Sequence, residues 1–188
     1  MTTTNIRPAT PDDFPAIVEI YNHYIQNTAI TFDLEPYTAE SRMYWFEQFQ
    51  ITCPPAKPET PRRYQLLIAE RIAERDVKQD APVPKQILGY ACSAQLRIKA
   101  AYDPSVETSI YLAPNETGLG LGPKLYSALF DSLANQDIHR AFAGVTLPNE
   151  ASIKLHESFN FKRCGTWSQV GRKFDKYWDV AWYEKEIK

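Results

Sequence analysis

The sequence predicts a mixed α/β (α+β) fold, a twisted, mostly antiparallel sheet of about seven strands flanked by about four helices. Three observations carry that expectation. Segments with a two-residue apolar period interleave with segments at helical spacing, and no internal repeat is visible. Between Val106 and Phe130 a strand pattern runs through a glycine loop into a helix pattern. The composition, 44% hydrophobic and 13% aromatic over 188 residues, suffices for one proper core, so residues 1–188 read as a single domain.

Asn5 to Pro8 reads as a first strand. Thr10 is a good N-cap, Pro11 suits a first helical turn, and Asp12 and Asp13 favour the positive end of the dipole. Phe14, Ile17, Val18, Tyr21 and Ile25 then form an apolar stripe, and His23 on that helix reads as solvent-facing or core-edge rather than catalytic. After a loop over 27–35, Thr38 is expected to cap a second helix carrying Met43, Phe46 and Phe49. That helix should end before the proline-rich stretch from Cys53 to Pro61. Arg63 to Arg71 and Ile87 to Ile98 read as strands joined by a long charged loop over 74–86.

In the central stretch, Val106, Thr108, Ile110 and Leu112 alternate with Glu107, Ser109 and Tyr111, the period of a strand. Leu121, Leu125 and Leu129 recur at helical spacing, with Pro123 in the first turn, where a missing N–H costs nothing. Arg140 to Leu147 gives another strand. Asn149 can cap a fourth helix through Ile153, Leu155, His156 and Phe159, and Asn160 suits a left-handed terminating position. Two closing strands, 161–169 and 176–186, complete the sheet.

A net charge of −2 argues against a nucleic-acid binder. Cys53, Cys92 and Cys164 are widely spaced and odd in number, so neither a disulfide framework nor a zinc site is expected, and no metal is. The N-terminus has no apolar signal region and no run approaches membrane-spanning length, which makes a soluble cytoplasmic protein the expectation.

Three of only 7 glycines, Gly118, Gly120 and Gly122, fall within five positions ahead of a helix. There they allow backbone N–H groups to converge on an anion at the helix N-terminus. A Walker loop fits badly, because Lys124 follows Pro123 and Leu125 stands where a hydroxyl is needed. The dinucleotide fingerprint fits badly too, because the spacing is Gly-x-Gly-x-Gly. Glu107 is a carboxylate between Val106 and Thr108 on a strand. It is either an edge-facing surface group or a general base, since a carboxylate whose surroundings raise its pKa can take a proton near neutral pH. Arg97 and Lys99, two apart on a predicted strand and followed by Tyr102, read as an anion clamp or as a solvated strand end.

Thr117-Gly118-Leu119-Gly120-Leu121-Gly122 resembles the Gln/Arg-x-x-Gly-x-Gly/Ala pyrophosphate loop of the GNAT N-acetyltransferases. The segments Glu107 to Pro114, Leu147-Pro148-Asn149 and Leu155-His156-Glu157 are similar to the phosphinothricin acetyltransferase branch, which includes methionine sulfone and sulfoximine acetyltransferases. Arg7 to Thr10, Tyr21 to Tyr24, Thr31-Phe32 with Glu35-Pro36, and Ala101 to Asp103 extend the likeness over nearly the whole chain. Thr117 departs from the pattern, replacing a longer side chain.

The resemblance implies a GNAT fold whose central parallel strands splay, with the pantetheine arm of acetyl-CoA between them. It implies Glu107 as base and His156 as acid or relay, in direct acetyl transfer to a small amino-acid analogue such as phosphinothricin, methionine sulfoximine or methionine sulfone. In such proteins the backbone of Ile110, Tyr111 and Leu112 would pair with pantetheine. Gly118, Leu119, Gly120, Leu121, Gly122 and Pro123 would hold pyrophosphate, and Asn149 and Ser158 would contact CoA. Phe32, Arg97, Lys99, Tyr102, Glu107 and Ser109 would face the acceptor, Phe32 being alternatively plain core. A homodimer and a herbicide-resistance activity are further implications. Action on another small amine or a protein N-terminus, or a non-catalytic acyl-CoA-binding module, stays open at this level; release of free thiol over a panel of amines separates them.

Overall fold

The computed structural model describes residues 3–49, 63–72 and 85–188. The proline-rich stretch over 53–61 and most of the charged loop over 74–86 lie outside the described residues. Seven strands form one sheet: β1 (Thr3–Pro8), β2 (Leu66–Ile72), β3 (Lys85–Gln95), β4 (Ser105–Leu112), β5 (Arg140–Thr146), β6 (Lys162–Lys173) and β7 (Lys176–Glu186). Their spatial order is β1-β2-β3-β4-β5-β7-β6, and only β4 and β5 are parallel. Four α-helices accompany them among the described residues: α1 (Phe14–Asn27), α2 (Met43–Glu47), α3 (Leu121–Leu133) and α4 (Glu150–Ser158).

Alternation along β2 sorts the two cores. Leu66 and Ile68 pack with Phe14, Ile17 and Phe46 of α1 and α2, whereas Leu67 and Ala69 pack with Leu125 and Leu129 of α3. β2 is therefore buried on both faces, which explains why it reads as a nearly continuous apolar run. Phe14 and Phe46 stack with centroids 3.6 Å apart, fastening α2 to α1. The acids ahead of α1 do more than favour a dipole. Asp13 accepts from the Thr10 backbone at 2.8 Å and pairs with Arg7 at 2.7 Å, and Arg7 also reaches Glu70 at 2.9 Å. One guanidinium thereby ties β1, β2 and the helix start together.

Two predicted elements are shorter than expected. The second helix begins at Met43 rather than just after Thr38, because Thr38 and Ser41 bond each other's backbone and side chains and close a separate turn first. β3 stops at Gln95, so Arg97 and Lys99 lie on a bend beyond the strand. Conversely β6 runs on to Lys173, absorbing irregularities at Arg163/Gly165 and Trp167/Gly171. Asn149 does cap α4, accepting from Ser152 N at 3.1 Å, and Asn160 does take a positive φ of 64°. No helix among the described residues is long and apolar enough to cross a membrane.

Gly89 marks the tightest crossing in the sheet. A Cβ there would lie 2.6 Å from Leu112 Cδ2 and 2.7 Å from the Tyr111 carbonyl oxygen. Because backbone cannot step aside as a side chain does, Gly89→Ala should destabilise the fold by about 1–3 kcal/mol, read as a lowered urea midpoint.

Candidate active site

β4 and β5 part company early. They pair only through Ser105–Arg140, Val106–Ala141 and Glu107–Phe142, after which no strand among the described residues pairs with β4 on that side. The other side stays paired with β3 to Leu112, and Ala113 N donates to Leu88 O at 2.8 Å. Backbone groups alternate in direction along a strand, so this bond turns residues 107, 109, 111 and 113 toward β3 and residues 108, 110 and 112 toward the gap. Ile110 and Leu112 thus offer main chain to the gap, although the Leu112 carbonyl already accepts from Tyr24 Oη at 2.7 Å. Tyr111 does not: its main chain faces Tyr90, and the expectation that three successive residues bind pantetheine reduces to two.

The glycine loop closes one end of this gap. Gly118 and Gly120 both have φ of 75°, the left-handed region, and a Cβ at either would meet nothing within 4 Å. Their role is conformational: they turn the chain so that α3 starts at Leu121 with no side chain capping its N-terminus. Gly122 differs, being buried in the first turn against Leu155, Leu112 and Ile110. That contact sets the positive end of α3, with Pro123 in its first turn, beside the free edge of β4. Leu119 is exposed, and Thr117 Oγ1 turns back toward the Pro114 carbonyl at 3.5 Å. Across the gap Asn149 spends its side-chain oxygen on α4. Ser158 donates to Leu155 O at 2.7 Å at the far end of that helix.

On the α1 face of the sheet lies a cavity of about 430 Å³. Phe32, Glu107 and Ser109 line it, where the sequence reading placed them on the acceptor side, and Tyr111, expected to meet the cofactor, points its side chain there too. Tyr21, Thr31, Arg42, Trp45, Trp167 and Trp182 join them. Burial raises the pKa of the Glu107 carboxyl, opposed by the nearby positive charge of Arg97. A Cβ on Gly171 would fall 2.2 Å from the Phe32 ring, so β6 lies directly against that wall. Lys173, buried on the same strand, donates to Thr31 O at 2.8 Å and Asp33 O at 2.9 Å, holding the loop in place. Cys92 also lines the cavity, but burial pushes its thiol up to about 12, far from a nucleophilic thiolate.

The predicted cationic residues stay together but lie outside the cavity. Arg97, Lys99 and Tyr102 line a separate hollow beside Gln95 and Leu96, and Arg97 also sits 6.0 Å from the Trp182 ring and acts on Glu107. The cause is the end of β3 at Gln95: past it the chain leaves the sheet that walls the cavity.

A cation that sequence reasoning missed occupies the cavity wall. Arg42 is only 6% exposed, and its guanidinium lies 3.6 Å from the Tyr21 ring centroid, 4.6 Å from Trp45 and 5.0 Å from Tyr37. Its Nε and Nη1 are buried with no hydrogen-bond partner among the described residues. The one signal in the sequence was an arginine set among Tyr37, Tyr44 and Trp45, which a helix-face reading treats as solvated.

His156 does not share the cavity with Glu107. It is buried in the core on the α3 face, 5.1 Å edge-on to Phe161. Its Nδ1 lies 2.7 Å from Ser152 O, which places the ring proton there, so Nε2 accepts from Tyr126 Oη at 3.1 Å. Tyr126 in turn meets Thr108 Oγ1 at 2.7 Å. Adjacent residues of β4 therefore face opposite ways, Glu107 to the cavity and Thr108 to this chain of side chains. The expected acid and imidazole side by side become two groups on opposite faces of one strand.

Burial lowers the imidazole pKa from 6.5, so the folded protein holds His156 neutral. The unfolded chain takes up that proton first. The stability contribution is whole above pH 6.5 and is lost as pH falls from there through the folded pKa. Urea unfolding at pH 8 and pH 5.5 should accordingly show a steeper loss in wild type than in His156→Gln, even though the variant starts less stable.

Residues 33–161 match the Acetyltransferase (GNAT) family. A phosphinothricin N-acetyltransferase of Streptomyces coelicolor is 45% identical over 97% of this chain and 95% of its own. An L-methionine sulfoximine/L-methionine sulfone acetyltransferase of Salmonella typhimurium is 31% identical over 97% and 94%. Among solved structures, a GNAT superfamily phosphinothricin acetyltransferase from Sinorhizobium meliloti in complex with AcCoA superposes with a TM-score of 0.80, at 25% identity over 98% of this chain and 88% of that one. Splayed strands, a glycine-turned helix start and this likeness along almost the whole length agree: the chain belongs to the GNAT acetyltransferase family.

Proposed function

We propose that this acetyl-CoA-dependent N-acetyltransferase acts on the α-amino group of a small amino-acid analogue, phosphinothricin, methionine sulfoximine or methionine sulfone, by direct transfer in a ternary complex. The observation that carries the reading is Glu107. Its carboxyl has a raised pKa, lines a cavity walled by aromatic rings, and belongs to the last residue of β4 before the strand edge opens. Names of relatives at 45% and 31% identity support the substrate class.

The residues present fit acetyl-CoA. The uncapped N-terminus of α3 with the left-handed Gly118 and Gly120 suits a pyrophosphate, because unpartnered N–H groups and the helix dipole both favour negative charge. The open main chain of Ile110 and Leu112 suits an amide-bearing arm laid alongside like an added strand. When bound, acetyl-CoA supplies a thioester acyl group. Glu107 takes a proton from the acceptor's ammonium, freeing the nitrogen lone pair to bond the acyl carbon; the C–S bond then breaks, and the surplus proton left on the new amide nitrogen neutralises the departing thiolate. The Ile110 N–H, unclaimed by β5, faces the gap where it can donate to the thioester oxygen as that oxygen gains charge. The chain of Thr108, Tyr126 and neutral His156 fixes the back of β4 and so the direction of Glu107.

Thiol release with a panel of amines tests the substrate class; turnover confined to peptide N-termini, or none with any amine, would defeat it. Glu107→Gln should lower kcat/KM for the acceptor by roughly 100-fold or more and remove the fall in rate as pH drops through the carboxyl's raised pKa. Because burial disfavours the ionised carboxylate, the same variant should be at least as heat-stable as wild type at pH 8. Gly120→Ala forces a side chain into φ of 75°; KM for acetyl-CoA should rise several-fold while KM for the acceptor stays.

A further inference from the structure

Arg42 carries a charge that no acidic side chain among the described residues pairs with. A buried cation is ordinarily paired, because desolvation of a charge is expensive. Yet the guanidinium of Arg42 sits in a residue 6% exposed, with Nε and Nη1 buried and unpartnered. What surrounds it is aromatic. Tyr21 lies 3.6 Å away and Trp45 4.6 Å away, both measured to ring centroids, and such stacking engages the faces of the guanidinium plane. The N–H donors point outward in that plane, so stacking fixes their direction and leaves them free. Tyr21 is itself locked, since its hydroxyl donates to Asp33 at 2.6 Å.

The same cavity holds Glu107, and the ion pairs among the described residues do not join the two. One cavity therefore presents a carboxyl suited to an amine and, apart from it, a pre-oriented cation with donors to spare. An amino acid has both complements. Resting on the transferase reading above, we infer that Arg42 is the receptor for an acidic group of the acceptor, its α-carboxylate or a side-chain phosphinate. This assigns to one buried arginine the role that the exposed Arg97 and Lys99 were expected to share. The recognition is pre-paid: no side chain must be ordered when the acceptor enters, and planar oxygen pairs match a guanidinium edge.

Tryptophan fluorescence can report binding directly, because Trp45, Trp167 and Trp182 line the cavity. L-Methionine sulfone, whose one anion is the α-carboxylate, is titrated against its carboxamide, and phosphinothricin against its carboxamide, into wild type, Arg42→Gln and Arg42→Lys. Wild type should prefer the sulfone over its carboxamide by about 10- to 100-fold, the range for a charge-assisted contact, and Arg42→Gln should erase that preference. If only phosphinothricin and its carboxamide lose affinity in Arg42→Gln while the sulfone pair bind alike, the phosphinate is the group held. Equal binding of L-methionine sulfone and its carboxamide by wild type rules out the α-carboxylate without any variant having to fold, and phosphinothricin carboxamide binding wild type and a folded Arg42→Gln or Arg42→Lys alike rules out the phosphinate; the two together overturn the inference. So does an Arg42→Lys protein that folds and keeps the full preference of wild type, since a lysine lacks the planar fork. Thiol release is followed in parallel. Arg42-dependent binding without release would refute the transferase reading while leaving this assignment standing.

Discussion

The parting of β4 from β5 after Glu107 and Phe142 is the constraint on which the site depends. A sheet ordinarily satisfies its backbone groups internally, and an edge inside a protein is a liability. Here the edge is made in the middle of the sheet, held open on one side by α3 and on the other by the β5 to β7 pairing. Gly122 allows α3 to sit against Ile110 and Leu112, so the helix start and the open edge meet at the same place. Unmet main-chain donors at both are the features a long, amide-bearing and phosphorylated ligand can satisfy.

The two faces of β4 divide the labour. Facing α1, Glu107, Ser109 and Tyr111 look into an aromatic cavity with an elevated carboxyl pKa and an unpaired arginine. Facing α3, Thr108 joins Tyr126 and His156 in a buried chain whose members are all hydrogen-bonded. The first face tolerates unmet polar groups and the second does not. That contrast separates residues that wait for a ligand from residues that keep the strand straight.

Local patterns were the legible part. Alternation from Val106 to Leu112, the leucine spacing of α3, and Asn149 and Asn160 at the ends of α4 each depend on neighbours within a few residues, and each was read correctly. Glu107, Ser109 and Phe32 reach the cavity as expected, because strand alternation and the loop's place in the chain suffice to put them there. The failures share a cause. Arg42 is held in the cavity wall by Tyr21, twenty-one positions earlier, as well as by nearby Trp45; Lys99 lies outside the cavity because β3 ends early; His156 is claimed by Tyr126 from another helix. The contacts with Tyr21 and Tyr126 come from distant parts of the chain, so a reading by period and spacing misses them.

Lys173 brings the last strands of the chain to bear on the first loop. Its ammonium, bonded to the carbonyls of Thr31 and Asp33, spans 142 and 140 positions of sequence, and Gly171 on the same strand backs the ring of Phe32. A chain still emerging from the ribosome can assemble β1 to β4 and the α3 turn well before those strands arrive. The cavity lined by Phe32 and Glu107 is thus finished only when the last strands have been made.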